Sequence, residues 1–147
     1  MLQVDDRFEV AASRDAVFEL WTAFASFPSF MTGVESVHLE TEVRMRWRVS
    51  IAGVESTFYA LITEQVPGER IAWSSVDQTT MGWWVDLEPA GAERHGQPRT
   101  RVTVRVIWAP RGDAPHLAGA LELDERTIRL DLQRFRALAE QAVARAA

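Results

Sequence analysis

The sequence predicts an α+β fold: a curved antiparallel sheet of six or seven strands wraps one long C-terminal helix, and two short helices follow the first strand. Three observations predict it. Segments of alternating apolar and polar residues succeed one another from Val34 to Ala109, joined by short turn-rich stretches. The segment Ala120 to Arg145 contains no Pro or Gly and carries an apolar stripe at helical spacing. The length of 147 residues suits a single domain, 1–147, built on one core.

Taken in order, Val4 to Val10 sets Val4, Asp6, Phe8 and Val10 against Asp5, Arg7 and Glu9, which reads as an edge strand. Ser13 is placed to cap a helix whose apolar set is Val17, Leu20, Trp21 and Phe24, with Asp15 near the positive end of the helix dipole. Pro28 limits any continuation to a second short helix within Ser26 to Met31. Strands are expected at Val34–Thr41, Val43–Ile51, Glu55–Glu64, Glu69–Val76, Gly82–Pro89 and Arg99–Ala109. Gly53 and Pro67-Gly68 supply the turn chemistry between them.

Alternation within these strands separates a packed face from a wet one. Met45, Trp47, Val49 and Ile51 fall opposite Arg44, Arg46, Arg48 and Ser50; Met81, Trp83, Val85 and Leu87 fall opposite Trp84, Asp86 and Glu88; Val102, Val104, Val106 and Trp108 fall opposite Arg101, Thr103, Arg105 and Ile107. The arginine rows belong on the wet face, where Asp86 and Glu88 can pair with them across strands. The terminal helix presents Leu121, Ile128, Leu132, Phe135, Ala139 and Ala142, a stripe that only the packed face of the sheet can cover.

Composition removes several functions. A net charge of −5 argues against nucleic acid, which requires a concentrated basic patch. No apolar run approaches the roughly 20 residues that span a bilayer, so no membrane span is expected. The first residues lack the pattern of a signal peptide and there is no Cys, so a cytoplasmic location is the expectation. All sixteen basic residues are Arg, which rules out a Schiff-base lysine. His38, His95 and His116 have no metal-ligand spacing, so neither a metal nor a cofactor is called for.

Six tryptophans in a chain of this size suggest a wide core or a lined pocket. A strongly curved sheet cannot meet a straight helix along its whole length, and the gap must be filled by large side chains or by a ligand. The candidate lining is Met45, Trp47, Phe58, Trp73, Met81, Trp83 and Val104 from the sheet, Leu121 and Ile128 from the helix, and Phe27, Phe30 and Met31 at one end. Glu125 and Asp124, at the edges of the helical stripe, and His116, in the loop before the helix, are the candidate acid/base groups. Tyr59 lies on the face opposite Phe58, so its hydroxyl reaches the gap only with a shifted register.

The order of these signals resembles the START-like, Bet v 1-like (SRPBCC) superfamily of helix-grip proteins, and within it the bacterial polyketide cyclase/dehydrase family. The segments that carry the resemblance include Ala12-Ser13-Arg14-Asp15-Ala16-Val17-Phe18-Glu19-Leu20 and Phe27-Pro28-Ser29-Phe30-Met31. They continue with Ile62-Thr63-Glu64-Gln65-Val66-Pro67-Gly68-Glu69-Arg70-Ile71-Ala72-Trp73 and Asp131-Leu132-Gln133-Arg134-Phe135-Arg136-Ala137-Leu138-Ala139-Glu140. The resemblance implies the helix-grip fold and a small hydrophobic ligand, with members that are carriers of lipids or quinones and others that are aromatase/cyclases. In the cyclases it implies a pocket arginine, whereas Arg44, Arg46, Arg48 and Arg70 here all alternate outward. Binding of a polyketide, quinone or lipid-like molecule is the expected function, and cyclisation with dehydration of a polyketide is the alternative. A further reading is an interaction module, in which Trp84 with Leu123 and Leu130 on the outer face of the helix offers a homodimer contact.

Overall fold

The computed structural model describes residues 2–51, 53–76, 79–91, 96–110 and 125–146. Nine residues, Leu2–Val10, form β1, and Arg14–Thr22 form α1. The Ser13 hydroxyl accepts the Ala16 N–H and so satisfies one of the donors that a helix start leaves open. A 3₁₀ helix, Phe24–Ser29, follows and contains Pro28. It begins two residues before the expected second helix, and its tighter turn is what lets the chain bend at once after α1.

The strands β2 (Val34–Leu39), β3 (Arg44–Ile51), β4 (Val54–Val66), β5 (Arg70–Ser75), β6 (Thr79–Pro89) and β7 (Thr100–Pro110) come next, then α2, Glu125–Ala146. They make one seven-stranded sheet in the order β1-β7-β6-β5-β4-β3-β2. Every pairing is antiparallel. Both edges are chain-early strands, so α1 and the 3₁₀ helix cross from one edge of the sheet to the other. Register shifts at Val34/Ser36 in β2 and at Ile62/Glu64 in β4 interrupt the ladder, and such irregularities bend and twist a strand. Together with the general strand twist they curve the sheet around α2.

The faces follow the alternation. Met45, Trp47, Val49, Phe58, Trp73, Met81, Trp83, Val85, Val102, Val104 and Val106 are buried on the concave side. The convex side is an ion-pair lattice: Arg70 with Asp86 and Glu64, Arg101 with Glu88 and Glu9, Arg105 with Asp5, Arg44 with Glu40 and Arg48 with Glu55. The Arg105 guanidinium bonded to Asp5 holds that carboxyl below the usual aspartate value, and Gln3 adds to the effect. These groups are exposed, and pairs of this kind stabilise by only about 0–1 kcal/mol each. Tyr59 is on this side, with Arg44 over its ring at 4.5 Å. Trp84 is half-buried here because its ring lies over Gly82, where a Cβ would stand 2.5 Å from the indole.

Along α2 the buried stripe is Ile128, Leu132, Phe135 and Ala139. The expected Ala142 is exposed and Val143 packs on the core in its place, because the stripe advances by four residues at its end rather than three. Trp21 stacks on Phe135 at 4.1 Å between centroids, and Phe27 and Phe30 meet Trp21 edge-on. Two polar contacts pin the ends of this layer: the Ala11 N–H donates to Glu140 at 2.8 Å, and the buried Thr100 hydroxyl donates to the Ala12 carbonyl at 2.7 Å. Among the described residues no helix is long and apolar enough to cross a membrane. Leu130 is exposed on the outer face of α2, whereas Leu123 lies outside the described residues.

Candidate functional site

Most of the gap between sheet and helix is filled from within the chain. α1, the 3₁₀ helix and the residue after it insert Trp21, Phe24, Phe27 and Phe30 between the concave face and Phe135; Trp21, Phe24 and Phe27 pack against Trp73, Trp21 also meets Trp83, and Phe30 meets Trp21 and Phe135. Phe27, Phe30, Met45, Trp73 and Val104 are buried in this packed layer and do not line the cleft that remains. The physical reason is volume: aromatic rings delivered by a third layer take up the space that sheet curvature opens.

A cleft remains toward the first described turn of α2. It is bounded by Met31, Thr32 and Val34 at the turn into β2, by Trp47, Val49 and Phe58 on β3 and β4, by Met81, Trp83, Val106 and Trp108 on β6 and β7, and by Ile128 and Asp131 on α2. The void within this partly open cleft measures about 50 Å³. That is room for a few water molecules, against roughly 300–1,000 Å³ in pockets that take drug-sized ligands. Of the expected lining, Met31, Trp47, Phe58, Met81, Trp83 and Ile128 border this cleft. Leu121 and His116 lie outside the described residues, as does Asp124.

The β-ladder brings the aromatic wall together. Trp47 pairs with Phe58 across β3 and β4, and the rings stack at 5.6 Å with 15° between planes. Trp73 and Trp83 are likewise cross-strand partners, stacked at 5.8 Å. Trp108 reaches Phe58 edge-on at 6.3 Å across the curve of the sheet. The indole N–H groups of Trp47 and Trp108 are buried and have no hydrogen-bond partner among the described residues.

Asp131 is the one titratable group in the lining among the described residues. It is only 4% exposed. Oδ2 accepts the Thr32 backbone N–H at 2.9 Å, and Oδ1 accepts the Thr32 hydroxyl at 2.6 Å and Arg134 Nη1 at 2.7 Å. The turn that ends in Gly33, whose φ of 81° favours glycine, places Thr32 over the helix for these bonds. Burial pushes the carboxyl above its ordinary value, against the opposing pull of the Thr32 bonds and the Arg134 charge.

Glu125 has a different position from the one expected of an acid/base group. Its side chain is 60% exposed in the first described turn of α2 and is bonded to Arg129, which also pairs with Asp6. Its i,i+4 bond to Arg129, itself tied to Asp6 on β1, holds it outside the lining of the cleft. The sequence carries a signal for Asp131: it stands three residues after Ile128 and four before Phe135, within the buried stripe. Val34, Val49, Val106 and Trp108 were legible as strand residues, but nothing local marked them as neighbours of a void, and Thr32 carried no signal at all. Among the described residues no cluster of three His, Cys, Asp or Glu is arranged to hold a metal.

Comparison with known proteins agrees with this architecture. A relative in Streptomyces lincolnensis, an uncharacterized 17.2 kDa protein of the melC2-rnhH intergenic region, is 33% identical over 144 residues, covering 96% of this chain and 91% of that protein. A START superfamily protein from Mycobacterium smegmatis superposes with a TM-score of 0.70 at 15% identity, over 99% of both chains. The Zhui aromatase/cyclase from Streptomyces sp. R1128 superposes with a TM-score of 0.68 at 20% identity, over 96% of this chain and 94% of that one. At those identities the structural likenesses speak to fold. The family model described as polyketide cyclase/dehydrase and lipid transport matches residues 10–136. A START-like helix-grip chain matched over that span belongs to the polyketide cyclase/dehydrase and lipid transport family.

Proposed function

We propose that the chain binds a small hydrophobic or aromatic molecule, of polyketide, quinone or lipid-like character, in the cleft between the concave sheet and the start of α2. The observation that carries this reading is a void walled by tryptophan, phenylalanine and methionine in a layer otherwise packed solid. The void is small as it stands, so a guest larger than a few atoms enters by moving side chains. Met31 and Met81 are suited to that movement, being unbranched with three rotatable bonds.

Titration of the purified protein with polycyclic aromatic probes, read by calorimetry, tests the reading, and native mass spectrometry tests for a co-purifying guest. Val106→Phe fills the void and is expected to lower affinity at least tenfold while the protein stays folded. Unchanged binding by that variant would place the guest elsewhere and refute the proposed site.

A second reading, a cyclase/dehydratase acting on a polyketide by aldol ring closure and loss of water, has one observation in its favour. Asp131 is a buried carboxylate with a raised pKa at the cleft, the kind of group that takes a proton from carbon and returns it to oxygen. Its oxygens already accept three hydrogen bonds, and no second acid or base lines the cleft among the described residues. This favours binding over catalysis. A polyketide mimic incubated with wild type, Asp131→Asn and His116→Ala separates the two. A rate loss of about 10²–10⁴ in either variant supports catalysis. Equal product in all three, at the rate of protein-free buffer, leaves the carrier.

A further inference from the structure

The hydrogen-bonding demand of the cleft is one-sided. Thr32 and Asp131 satisfy one another, with Arg134 completing the set. The other lining residues are apolar or aromatic, and two of them, Trp47 and Trp108, carry an indole N–H. Both of those N–H groups are buried, and among the described residues neither has an acceptor. Buried donors without acceptors are rare in folded proteins, because such a group has given up water and received nothing in exchange. Phe58 sits between the two rings, stacked on Trp47 and edge-on to Trp108, so both rings belong to one wall.

Trp21 and Trp73 also carry unpartnered N–H groups, and the contrast is informative. Both rings have no exposed surface and neither borders the void. Trp73 is enclosed by the faces of Trp83, Trp47 and Phe27. Those two nitrogens are sealed in the core, whereas Trp47 and Trp108 border the cleft; their nitrogens are covered as the cleft stands, so the guest that meets them is one that enters by displacing neighbouring side chains.

We propose that Trp47 and Trp108 determine the specificity of the cleft by donating their indole N–H groups to an acceptor oxygen on the guest. The site thereby favours a molecule bearing a carbonyl or similar oxygen, and the two tryptophans are selective groups as well as apolar wall. This rests on the binding function proposed above and adds to it the chemistry by which a guest is chosen.

The experiment compares 1-tetralone with tetralin, two probes of nearly the same shape that differ by one carbonyl oxygen. Calorimetric affinities are taken for wild type, Trp47→Phe, Trp108→Phe and the double variant, with Trp73→Phe as a control. Phenylalanine keeps an aromatic ring and removes only the donor and part of the volume, and circular dichroism checks that each variant is folded. Because any space opened by the smaller ring affects both probes, the informative quantity is the ratio of the two affinities within each protein. That ratio is expected to fall about tenfold in the variant that loses the bonded donor, equivalent to about 1.4 kcal/mol, and to stay at the wild-type value in Trp73→Phe. A ratio unchanged in both single variants and in the double variant overturns the inference while leaving apolar binding intact. A drop of the same size in Trp73→Phe overturns it too, by showing that the effect is not local to the cleft. Failure of both probes to bind wild type ends the underlying binding function and this inference with it.

Discussion

Replacing Asp131 with Asn tests how the cleft treats a buried charge. The side chain is 4% exposed and accepts three hydrogen bonds, two from Thr32 and one from Arg134. Asn keeps two of them: its carbonyl accepts the Thr32 N–H, and its amide donates to the Thr32 hydroxyl. It loses the bond to Arg134, whose side chain is 54% exposed and finds water instead. A charge-assisted bond contributes about 1.5–3 kcal/mol, but burial of the carboxylate offsets part of that, so the variant is expected within about 1 kcal/mol of wild type at pH 7.

The pH dependence is more telling. The folded carboxyl has its pKa raised above the ordinary 3.8, so within that window the native state holds more protons than the unfolded state. Wild-type stability from this group is therefore greatest below 3.8, falls as pH rises toward the folded pKa, and is level above it. Urea unfolding of both proteins at a series of pH values isolates this group, because the other titrations cancel in the difference. The stability of wild type minus that of Asp131→Asn is expected to decline with rising pH across the window. A difference that climbs with pH would mean that the bonds from Thr32 and Arg134 outweigh burial, and the account of the site would be refuted.

Phe135→Ala removes a fully buried ring stacked on Trp21 and is expected to cost about 3–5 kcal/mol in chemical denaturation; a loss below 1 kcal/mol would show that the aromatic layer is not packed as described. Ser13→Ala removes the cap of α1 and is expected to cost about 1 kcal/mol, with ligand affinity untouched in the same samples. Gly82→Val drives side-chain atoms into the ring of Trp84 and is expected to destabilise by about 1–3 kcal/mol; in the double variant with Trp84→Ala most of that loss should disappear.

The fold was legible because its signals are local and repeated. Trp47, Met81 and Val106 lie on the buried face and Arg48, Asp86 and Arg105 on the exposed one, as a two-residue period requires, and no strand pairing reverses that. Ser13, Pro28 and Gly68 mark changes of direction through their own backbone chemistry. The site was legible only in part. Trp47 and Trp73 have the same sequence signature, an inward tryptophan on a strand, yet one borders the void and the other is core. Phe27 reaches both rings at nearly the same distance, but Trp73 is covered in addition by Trp21 and Phe24.

By itself the sequence determined a sheet of six or seven strands and its two faces, the capped first helix, and a terminal helix that must bury one stripe, since each depends on the spacing of neighbouring residues. The tertiary structure alone decided where the space remains and which carboxylate stands beside it. Empty volume belongs to no residue: it is what is left after Trp21, Phe27, Phe30 and Phe135, from three separate elements, have packed together. Asp131 rather than Glu125 faces it because the sheet and the Thr32 turn cover that side of the helix, while the opposite side is left to water.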